Sequence, residues 1–286
     1  MSASYLDGLF GASGRVALIT GGATGLGFFM AEAWVKTGGK GELYIAGRRE
    51  DKLKAAAAEL NKIAKNSALY FVADVSKKTD ITALAEHVAA RESALDVLVN
   101  NAGMCSLEQA TYPGQTPAEM GAGLASADPE LWAAHMLLNT WAPAALTGSL
   151  VPLLAEAAKR TTGSGSVLNI SSTSASVWNP FWPIHVSKAS LLHLTKIQAA
   201  KLASHGIRVN SIQPGSFTTD MNPDTPLSPS HVDNVDKIPL KHGGSPEDIA
   251  GTFLYLSGRA GAYTTGTNFA VDGGALLVLN NANGPY

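Results

Sequence analysis

Short apolar runs alternate along the chain with longer segments whose apolar residues recur at helical spacing. The apolar runs are predicted strands at residues 15–20, 42–46, 68–73, 95–99, 166–170, 208–212 and 268–271. The longer segments include predicted helices at residues 51–65, 131–159 and 188–205. Most of the strands are dense in Val, Ile and Leu, which is typical of a parallel sheet covered by helices on both faces. The pattern predicts one doubly wound α/β domain over residues 1–286.

Two connections are longer than a simple turn requires. They are rich in Gly, Pro and Ser and cover residues 104–129 and 222–246. Long loops at the carboxyl edge of a parallel sheet commonly recognise the substrate, so we expect that role here. The alternative is that they are ordinary surface loops.

Composition and charge narrow the class of partner. The chain has 286 residues, 45% of them apolar, and a net charge of −2 from 21 basic and 23 acidic residues. This balance favours neither nucleic acid nor an anionic membrane as a partner, and no metal site is indicated. The single cysteine, Cys105, cannot form an internal disulfide, which suits a reducing compartment. With no signal-peptide pattern and no apolar run near ~20 residues, we expect a soluble, cytoplasmic protein.

A glycine-rich turn follows the first predicted strand and opens a helix. It reads Thr20-Gly21-x-x-x-Gly25-Leu26-Gly27. Such a turn lets the backbone approach a pyrophosphate, which the N–H groups at the helix N-terminus then bind. Glycine triplets also occur in ordinary turns, so the position after a strand is what makes this one informative.

Three further motifs follow the third, fourth and sixth strands in order. They are Asp74-Val75, then Asn101-Ala102-Gly103, then Pro214-Gly215-x-x-x-Thr219-x-Met221. Together with the glycine-rich turn they resemble the short-chain dehydrogenase/reductase family over residues 12–275. The resemblance implies a Rossmann-type fold in which the first pair lies near the adenine, the second group lines the ribose, and the third lies on the nicotinamide side.

The end of the second strand indicates which dinucleotide is bound. It reads Gly47-Arg48-Arg49, where a carboxylate usually accepts the hydroxyls of an unphosphorylated ribose. Guanidinium groups suit a ribose 2′-phosphate instead, through charge-assisted hydrogen bonds. We therefore expect NADP(H). The alternative, that these arginines are solvated residues at a helix start, applies more readily to Arg49 than to Arg48.

The resemblance also implies the catalytic residues. Asn139 matches the family's helical asparagine, and Lys188 its catalytic lysine. For the serine, family usage favours Ser172, whereas counting back from Lys188 points to Ser171. Adjacent strand residues face opposite sides, so only one serine faces the site, and we choose Ser172.

The family places a tyrosine four residues before the lysine, and here that residue is Ile184. An isoleucine cannot donate a proton to a developing alkoxide. His185 is the nearby residue able to replace it, because it precedes Lys188 by three residues and imidazole titrates near neutral pH. The alternative is that His185 is an ordinary residue at a helix start.

Two apolar segments of the sequence each allow two interpretations. The aromatic and proline-rich insert at residues 177–183 either walls a pocket for a flat or apolar substrate or packs on a neighbouring subunit. The apolar side of the helix at 188–205 is either core or, as the resemblance implies, the face that forms a homodimer or homotetramer.

The leading hypothesis is an NADP(H)-dependent oxidoreductase acting on a carbonyl or alcohol of a small, apolar molecule. One alternative is a non-redox enzyme, an isomerase, cyclase or lyase, that retains the dinucleotide as a structural group. Another is a non-catalytic relative of an active enzyme.

Overall fold

The computed structural model describes residues 3–38, 42–105, 116–177, 182–219 and 238–279. These residues build a seven-stranded sheet in the order β3-β2-β1-β4-β5-β6-β7. Every neighbouring pair is parallel. The strands are β1 (Ala17–Thr20), β2 (Leu43–Gly47), β3 (Ala68–Val72), β4 (Val97–Asn100), β5 (Ser166–Ile170), β6 (Arg208–Pro214) and β7 (Asn268–Val271). This confirms the predicted doubly wound parallel sheet of the Rossmann type.

Helices cover both faces of the sheet. They are α1 (Ala3–Phe10), α2 (Gly25–Lys36), α3 (Glu50–Ile63), α4 (Lys78–Ala89), α5 (Pro117–Ala125), α6 (Pro129–Met136), α7 (Ala142–Arg160), α8 (Trp182–Leu202), α9 (Pro246–Ser257) and α10 (Ala275–Leu279). A π-helical turn, Leu137–Trp141, joins α6 to α7, and a 3₁₀ turn, Thr173–Ser176, follows β5.

The core consists of one hydrophobic cluster on each face of the sheet. Ile19 of β1 belongs to the cluster that includes Trp34 of α2 and Phe253 of α9. The preceding residue, Leu18, belongs to the cluster on the opposite face. Because successive strand residues alternate between faces, central strands need apolar residues at every position. The strand order reverses between β1 and β4, so a crevice opens at their carboxyl ends, where Thr20 and Asn101 lie.

Helix α8 begins six residues before the predicted start. The sequence pattern predicts a loop at Pro183 and a helix from Lys188, but the helix starts at Trp182. The correction has a simple physical basis: proline is tolerated in the first helical turn, where its missing N–H has no partner in the helix. Lys188 therefore lies in the second turn of α8.

The predicted loop at residues 104–129 contains a helix. Thr116 caps α5 and accepts a hydrogen bond from the backbone N–H of Glu119, whose carboxylate bonds back to Thr116. This capping box, with Pro117 in the first turn, is a helix-start signal that the glycine content of the segment concealed. Residues 106–115, 178–181 and 220–237 lie outside the described residues, and so does Met221.

The predicted helix at 131–159 extends over residues 129–160, including the π-helical turn. This run is long enough and apolar enough to cross a bilayer, contrary to the expectation that no such run exists. Leu146, Leu150 and Leu154 along it are buried in the core cluster. A core helix of a soluble protein meets the same length and composition test, so the run is weak grounds for a membrane span.

Candidate active site

The glycine-rich turn after β1 has the tight geometry that the sequence predicts. Gly21 and Gly25 adopt φ values of 65° and 53°, in the left-handed region that favours glycine. A Cβ added at Gly25 would lie 3.1 Å from the Thr219 side chain, and one added at Gly27 would lie 2.6 Å from Nδ2 of Asn101. The turn is therefore packed closely between the segments after β4 and β6. Thr24, the N-cap of α2, makes no side-chain hydrogen bond to the first turn, so that turn is not capped by a side chain.

Thr20 and Asn101 join the turn to the end of β4. The Thr20 hydroxyl donates to the Val99 carbonyl oxygen at 3.2 Å and accepts from the backbone N–H groups of Asn101 and Ala102. In return, Nδ2 of Asn101 donates to the carbonyl oxygens of Thr20 and Gly21. These bonds hold the carboxyl ends of β1 and β4 at a fixed separation across the crevice.

Arg48 and Arg49 have different neighbours after β2. Nη2 of Arg49 donates to the Thr24 hydroxyl at 3.3 Å, which places its guanidinium beside the glycine-rich turn. Arg48 lies within electrostatic range of Asp74: burial acts to raise the pKa of Asp74, but hydrogen bonds from Ser76 and the charge of Arg48 lower it. The structure thus places Arg49, the arginine the sequence analysis ranked lower, against the turn.

Lys188, Gly103 and Asn139 converge at the carboxyl ends of β4 and β5. Nζ of Lys188 donates to the Ile170 carbonyl oxygen at 2.8 Å. A Cβ on Gly103 would lie 3.3 Å from this Nζ and 3.1 Å from Oδ1 of Asn139, so a side chain at this position would crowd both groups. Burial lowers the pKa of Lys188 to about 8, and the neighbouring Cys105 acts in the opposite direction.

Asn139 lies in the π-helical turn, where its side chain holds two segments together. Its Oδ1 accepts from the backbone N–H of Met104 at 3.0 Å, and its Nδ2 donates to the Met104 carbonyl oxygen and to the Ser187 hydroxyl. Thr140 adds a hydrogen bond to the Ser187 carbonyl oxygen. π-Helical turns inside α-helices often mark functional sites, and this one connects the end of β4 to the lysine-bearing helix.

The two adjacent serines after β5 have different partners. The Ser171 hydroxyl is buried and donates to the carbonyl oxygen of Lys188 at 3.1 Å. The Ser172 hydroxyl is half-buried and accepts from the backbone N–H of Ser174 at 3.1 Å, so its own proton is not used in that bond. Ser171 therefore links β5 to α8, and Ser172 is the serine whose hydroxyl is able to donate elsewhere.

Ile184 and His185 lie at the start of α8. Ile184 is buried, and the Ser187 hydroxyl donates to its carbonyl oxygen at 3.0 Å. His185, the next residue, is half-exposed. Since residues four apart share a helical face, Ile184 is the residue that lies on the buried face with Lys188.

Gln213 is a residue that the sequence analysis did not single out. Its Nε2 donates to the carbonyl oxygen of Ser172 and to the hydroxyl of Ser176. It directly precedes Pro214 and Gly215, and a Cβ on Gly215 would lie 2.8 Å from Cα of Asp272. The sequence signal that could have identified Gln213 is its position directly before the Pro-Gly pair. Its hydrogen-bond partners after β5 are distant in the sequence, so no local pattern indicates them.

The arrangement fits a dinucleotide along the carboxyl edge of the sheet. The tight turn follows β1, the guanidinium groups follow β2, and the buried ammonium of Lys188 reaches the end of β5. Within the described ranges, no group of three His, Cys, Asp or Glu residues is arranged to hold a metal ion.

Comparison with known proteins identifies the family. The family model described as enoyl-(acyl carrier protein) reductase matches residues 21–275. The chain is 30% identical to the short-chain dehydrogenase/reductase PhomF of Diaporthe leptostromiformis, covering 94% of each protein. It is 31% identical to the rhamnolipids biosynthesis 3-oxoacyl-[acyl-carrier-protein] reductase of Pseudomonas aeruginosa, over 93% of this chain and 97% of that protein.

A solved structure shows the same architecture. The Pseudomonas aeruginosa RhlG/NADP active-site complex superposes with a TM-score of 0.80 and 28% identity, covering 94% of this chain and 99% of that one. The sheet order, the matched family model and these full-length similarities agree with one another. The chain therefore belongs to the short-chain dehydrogenase/reductase family, whose members are oxidoreductases acting on carbonyl and alcohol groups.

Proposed function

We propose that the protein is an NADP(H)-dependent oxidoreductase that interconverts a carbonyl and an alcohol on a small, apolar molecule. The observation that carries the proposal is the buried Lys188 ammonium, which faces Gly103 and Asn139 at the carboxyl ends of β4 and β5. Among the described residues this ammonium bonds to the Ile170 carbonyl oxygen and has no carboxylate partner, so polar contacts from a ligand would lower the cost of burying its charge. The 3-oxoacyl reductase among the relatives and the NADP bound to the similar structure support the same reaction class.

The residues present suit the phosphorylated dinucleotide. The uncapped first turn of α2 and the glycines before it would receive the pyrophosphate, with Arg48 and Arg49 beside the ribose phosphate. Asp74 and Val75 would lie near the adenine, and Lys188 would bind the second ribose. When bound, the nicotinamide supplies or accepts the hydride.

The chain must position the substrate and supply a proton. We propose that the Ser172 hydroxyl, whose proton is not used in its bond to Ser174, donates to the substrate oxygen. The developing alkoxide then needs an acid, and Ile184 cannot serve. His185 at the neighbouring position of α8 is our candidate for this donor.

A second function has one observation in its favour. The buried Ile184 shares the face of α8 that carries Lys188, so an apolar surface lies where a phenol would complete the family's pattern. A site without that phenol suits an isomerase, cyclase or lyase in which the dinucleotide is retained without turnover.

The test is oxidation of NADPH by the purified protein with ethyl acetoacetate and a panel of alicyclic ketones. The proposal expects loss of reduced-nicotinamide absorbance and formation of the alcohol. Lys188→Met should abolish the activity, whereas Lys196→Met, at an exposed position of the same helix, should not. Conversion of a carbonyl compound without NADPH consumption would favour the second function.

We further propose a homodimer or homotetramer in the cytosol. Val186 and Ile197 are exposed on α8, with 42% and 48% of their surface accessible, whereas Leu191 on the same helix is buried. The apolar residues of α8 therefore serve both the core and a second surface, which a copy of the chain would cover. Sedimentation at micromolar concentration tests this: a monomer would contradict it.

A further inference from the structure

The last ladder bond between β5 and β6 lies immediately before the candidate catalytic serine. The backbone N–H of Ser171 donates to the Ile212 carbonyl oxygen at 2.8 Å, and Ile170–Ile212 is the final paired position. Beyond that point the backbones of the two strands are no longer paired. The side chain of Gln213 takes over the connection, because its Nε2 bonds to the Ser172 carbonyl oxygen at 3.3 Å and to the Ser176 hydroxyl at 2.9 Å.

These two acceptors stand at opposite ends of the 3₁₀ turn. Ser172 is its N-cap and Ser176 its last residue, so one amide group ties both ends of the turn to β6. Inside the turn, Ser172 accepts twice, at its hydroxyl from Ser174 and at its carbonyl oxygen from Ala175. The internal bonds fix the direction of the Ser172 hydroxyl within the turn, and Gln213 fixes the turn relative to the rest of the site.

The position of Gln213 in the chain gives that bond a functional meaning. It is 95% buried, with 5% exposed, and it directly precedes Pro214-Gly215, the segment expected on the nicotinamide side. One residue therefore links the strand end that carries Ser172 to the strand end on the other side of the candidate site. A displacement of about 1 Å between reacting groups can cost roughly 100-fold in rate, so such a link matters more for turnover than for folding.

We propose that Gln213 is a positioning residue that holds Ser172 at its working distance from the Pro214–Gly215 segment. This rests on the proposed function, in which Ser172 donates to the substrate oxygen. Gln213 itself is not expected to contact the substrate.

The informative substitution is Gln213→Met, which keeps the length of the side chain and removes the amide. The Ser172 carbonyl oxygen retains its bond from Ala175, and Ser176 is half-buried, so the variant should fold. The matched control is Gln198→Met. Gln198 is also a buried glutamine, 9% exposed, and it accepts from Nδ2 of Asn169, which keeps a second bond to Thr195.

The first readout needs no substrate. Amide hydrogen exchange in the peptide covering residues 172–177 should become at least about tenfold faster in Gln213→Met and stay unchanged in Gln198→Met. Unchanged exchange in Gln213→Met would overturn the proposal, whether or not the protein reduces ketones. The proposed function and the positioning role therefore fail separately.

The second readout is a double-mutant cycle with NADPH and ethyl acetoacetate. Gln213→Met should lower kcat by about 10-fold to 100-fold and leave both KM values within about twofold. In the Ser172→Ala background the same substitution should have no further effect on kcat, since the residue it positions is gone. An equal loss in both backgrounds would show that Gln213 acts on something other than Ser172 and would overturn the proposal.

Discussion

Ile184 and Lys188 lie one turn apart on α8, and both side chains are buried, with 6% and 7% of their surface exposed. They occupy the same face of the helix, on the side where Nζ of Lys188 reaches the end of β5. We interpret Ile184 as the position at which the family carries its tyrosine. On this interpretation the lysine and the serine of the family pattern are retained and an isoleucine stands in place of the tyrosine, which is why we propose His185 as the proton donor.

The substitution Ile184→Tyr should restore a proton donor at that position. We expect it to create or raise reductase activity toward ethyl acetoacetate, because a phenol beside the Lys188 ammonium is a better acid than a free phenol. Lys196→Tyr is the control, since residue 196 is exposed on the same helix and is not one of the apolar residues assigned to the oligomer surface. A correctly folded Ile184→Tyr variant with no gain would indicate a pocket shaped for different chemistry.

His185 is the second proton-donor prediction. His185→Ala should lower turnover by roughly 10²–10⁴-fold, the usual contribution of general acid catalysis, with NADPH affinity nearly unchanged. His185→Gln should behave similarly, because an amide hydrogen-bonds but does not titrate. The pH–rate profile should also lose the limb that reports this acid. His205→Ala, an exposed histidine just after α8, is the control, and full activity in both His185 variants would assign the proton to another group.

Cofactor choice depends on the arginines after β2. Arg48→Ala should weaken NADPH binding by about 1–3 kcal/mol and leave NADH binding almost unchanged, since only NADPH carries the ribose phosphate. Because Arg49 donates a hydrogen bond to Thr24 beside the glycine-rich turn, Arg49→Ala is titrated with the same two dinucleotides. Lys62→Ala, which removes an exposed charge at the far end of α3, is the matched control. Equal losses for both dinucleotides in Arg48→Ala would remove Arg48 from this role.

The strands and the order of the motifs could be predicted from the sequence because local patterns encode them. A central parallel strand is an apolar run, and a dinucleotide turn needs glycine at fixed spacing. Gly21 and Gly25 accordingly adopt the left-handed conformations that the pattern requires. The edge strand β3 departs from the rule, since Leu69 and Val72 are exposed there.

The side-chain partners could not be predicted, because they depend on how distant segments meet. The sequence left Ser171 and Ser172 as alternatives for the candidate catalytic serine. The structure distinguishes them, because the Ser171 hydroxyl donates to the Lys188 carbonyl oxygen. The same holds for Gln213, whose acceptors lie 41 and 37 residues away along the chain. The predicted start of α8 was wrong for a local reason. Pro183 was interpreted as a loop residue, although proline is compatible with the first turn of a helix.

Glu42 and Glu92 lie close together around Tyr44, away from the candidate active site, and from this pair we predict that stability depends on pH. Oη of Tyr44 lies 2.9 Å from Oε2 of Glu42 and 2.8 Å from Oε1 of Glu92, although a phenol has one proton to donate. Burial, followed by the hydrogen bond with Glu42, raises the pKa of Glu92 to about 7, and Asp96 adds a further negative charge. His87 and Arg91 of the adjoining helix end are the nearby basic groups.

Because the folded pKa of Glu92 is raised from 4.5, its contribution to stability is complete below pH 4.5 and is lost as the pH rises through about 7. Glu92→Gln should therefore lower the dependence of Tm on pH between pH 5 and 8, with the variant relatively more stable at the alkaline end. Glu86→Gln, exposed on α4, is the control. Parallel Tm curves for wild type and Glu92→Gln would show that the two carboxyl groups do not share a proton.

The most direct test of the account is whether hydride passes from the dinucleotide to the substrate. The purified protein is incubated with ethyl acetoacetate or another accepted ketone and with NADPH deuterated at the transferring position of the nicotinamide, and the product is analysed by mass spectrometry. The account predicts an alcohol carrying one deuterium, formed in a 1:1 ratio with oxidised cofactor and absent in Lys188→Met. A converted substrate that carries no deuterium, with the NADPH intact, would contradict it.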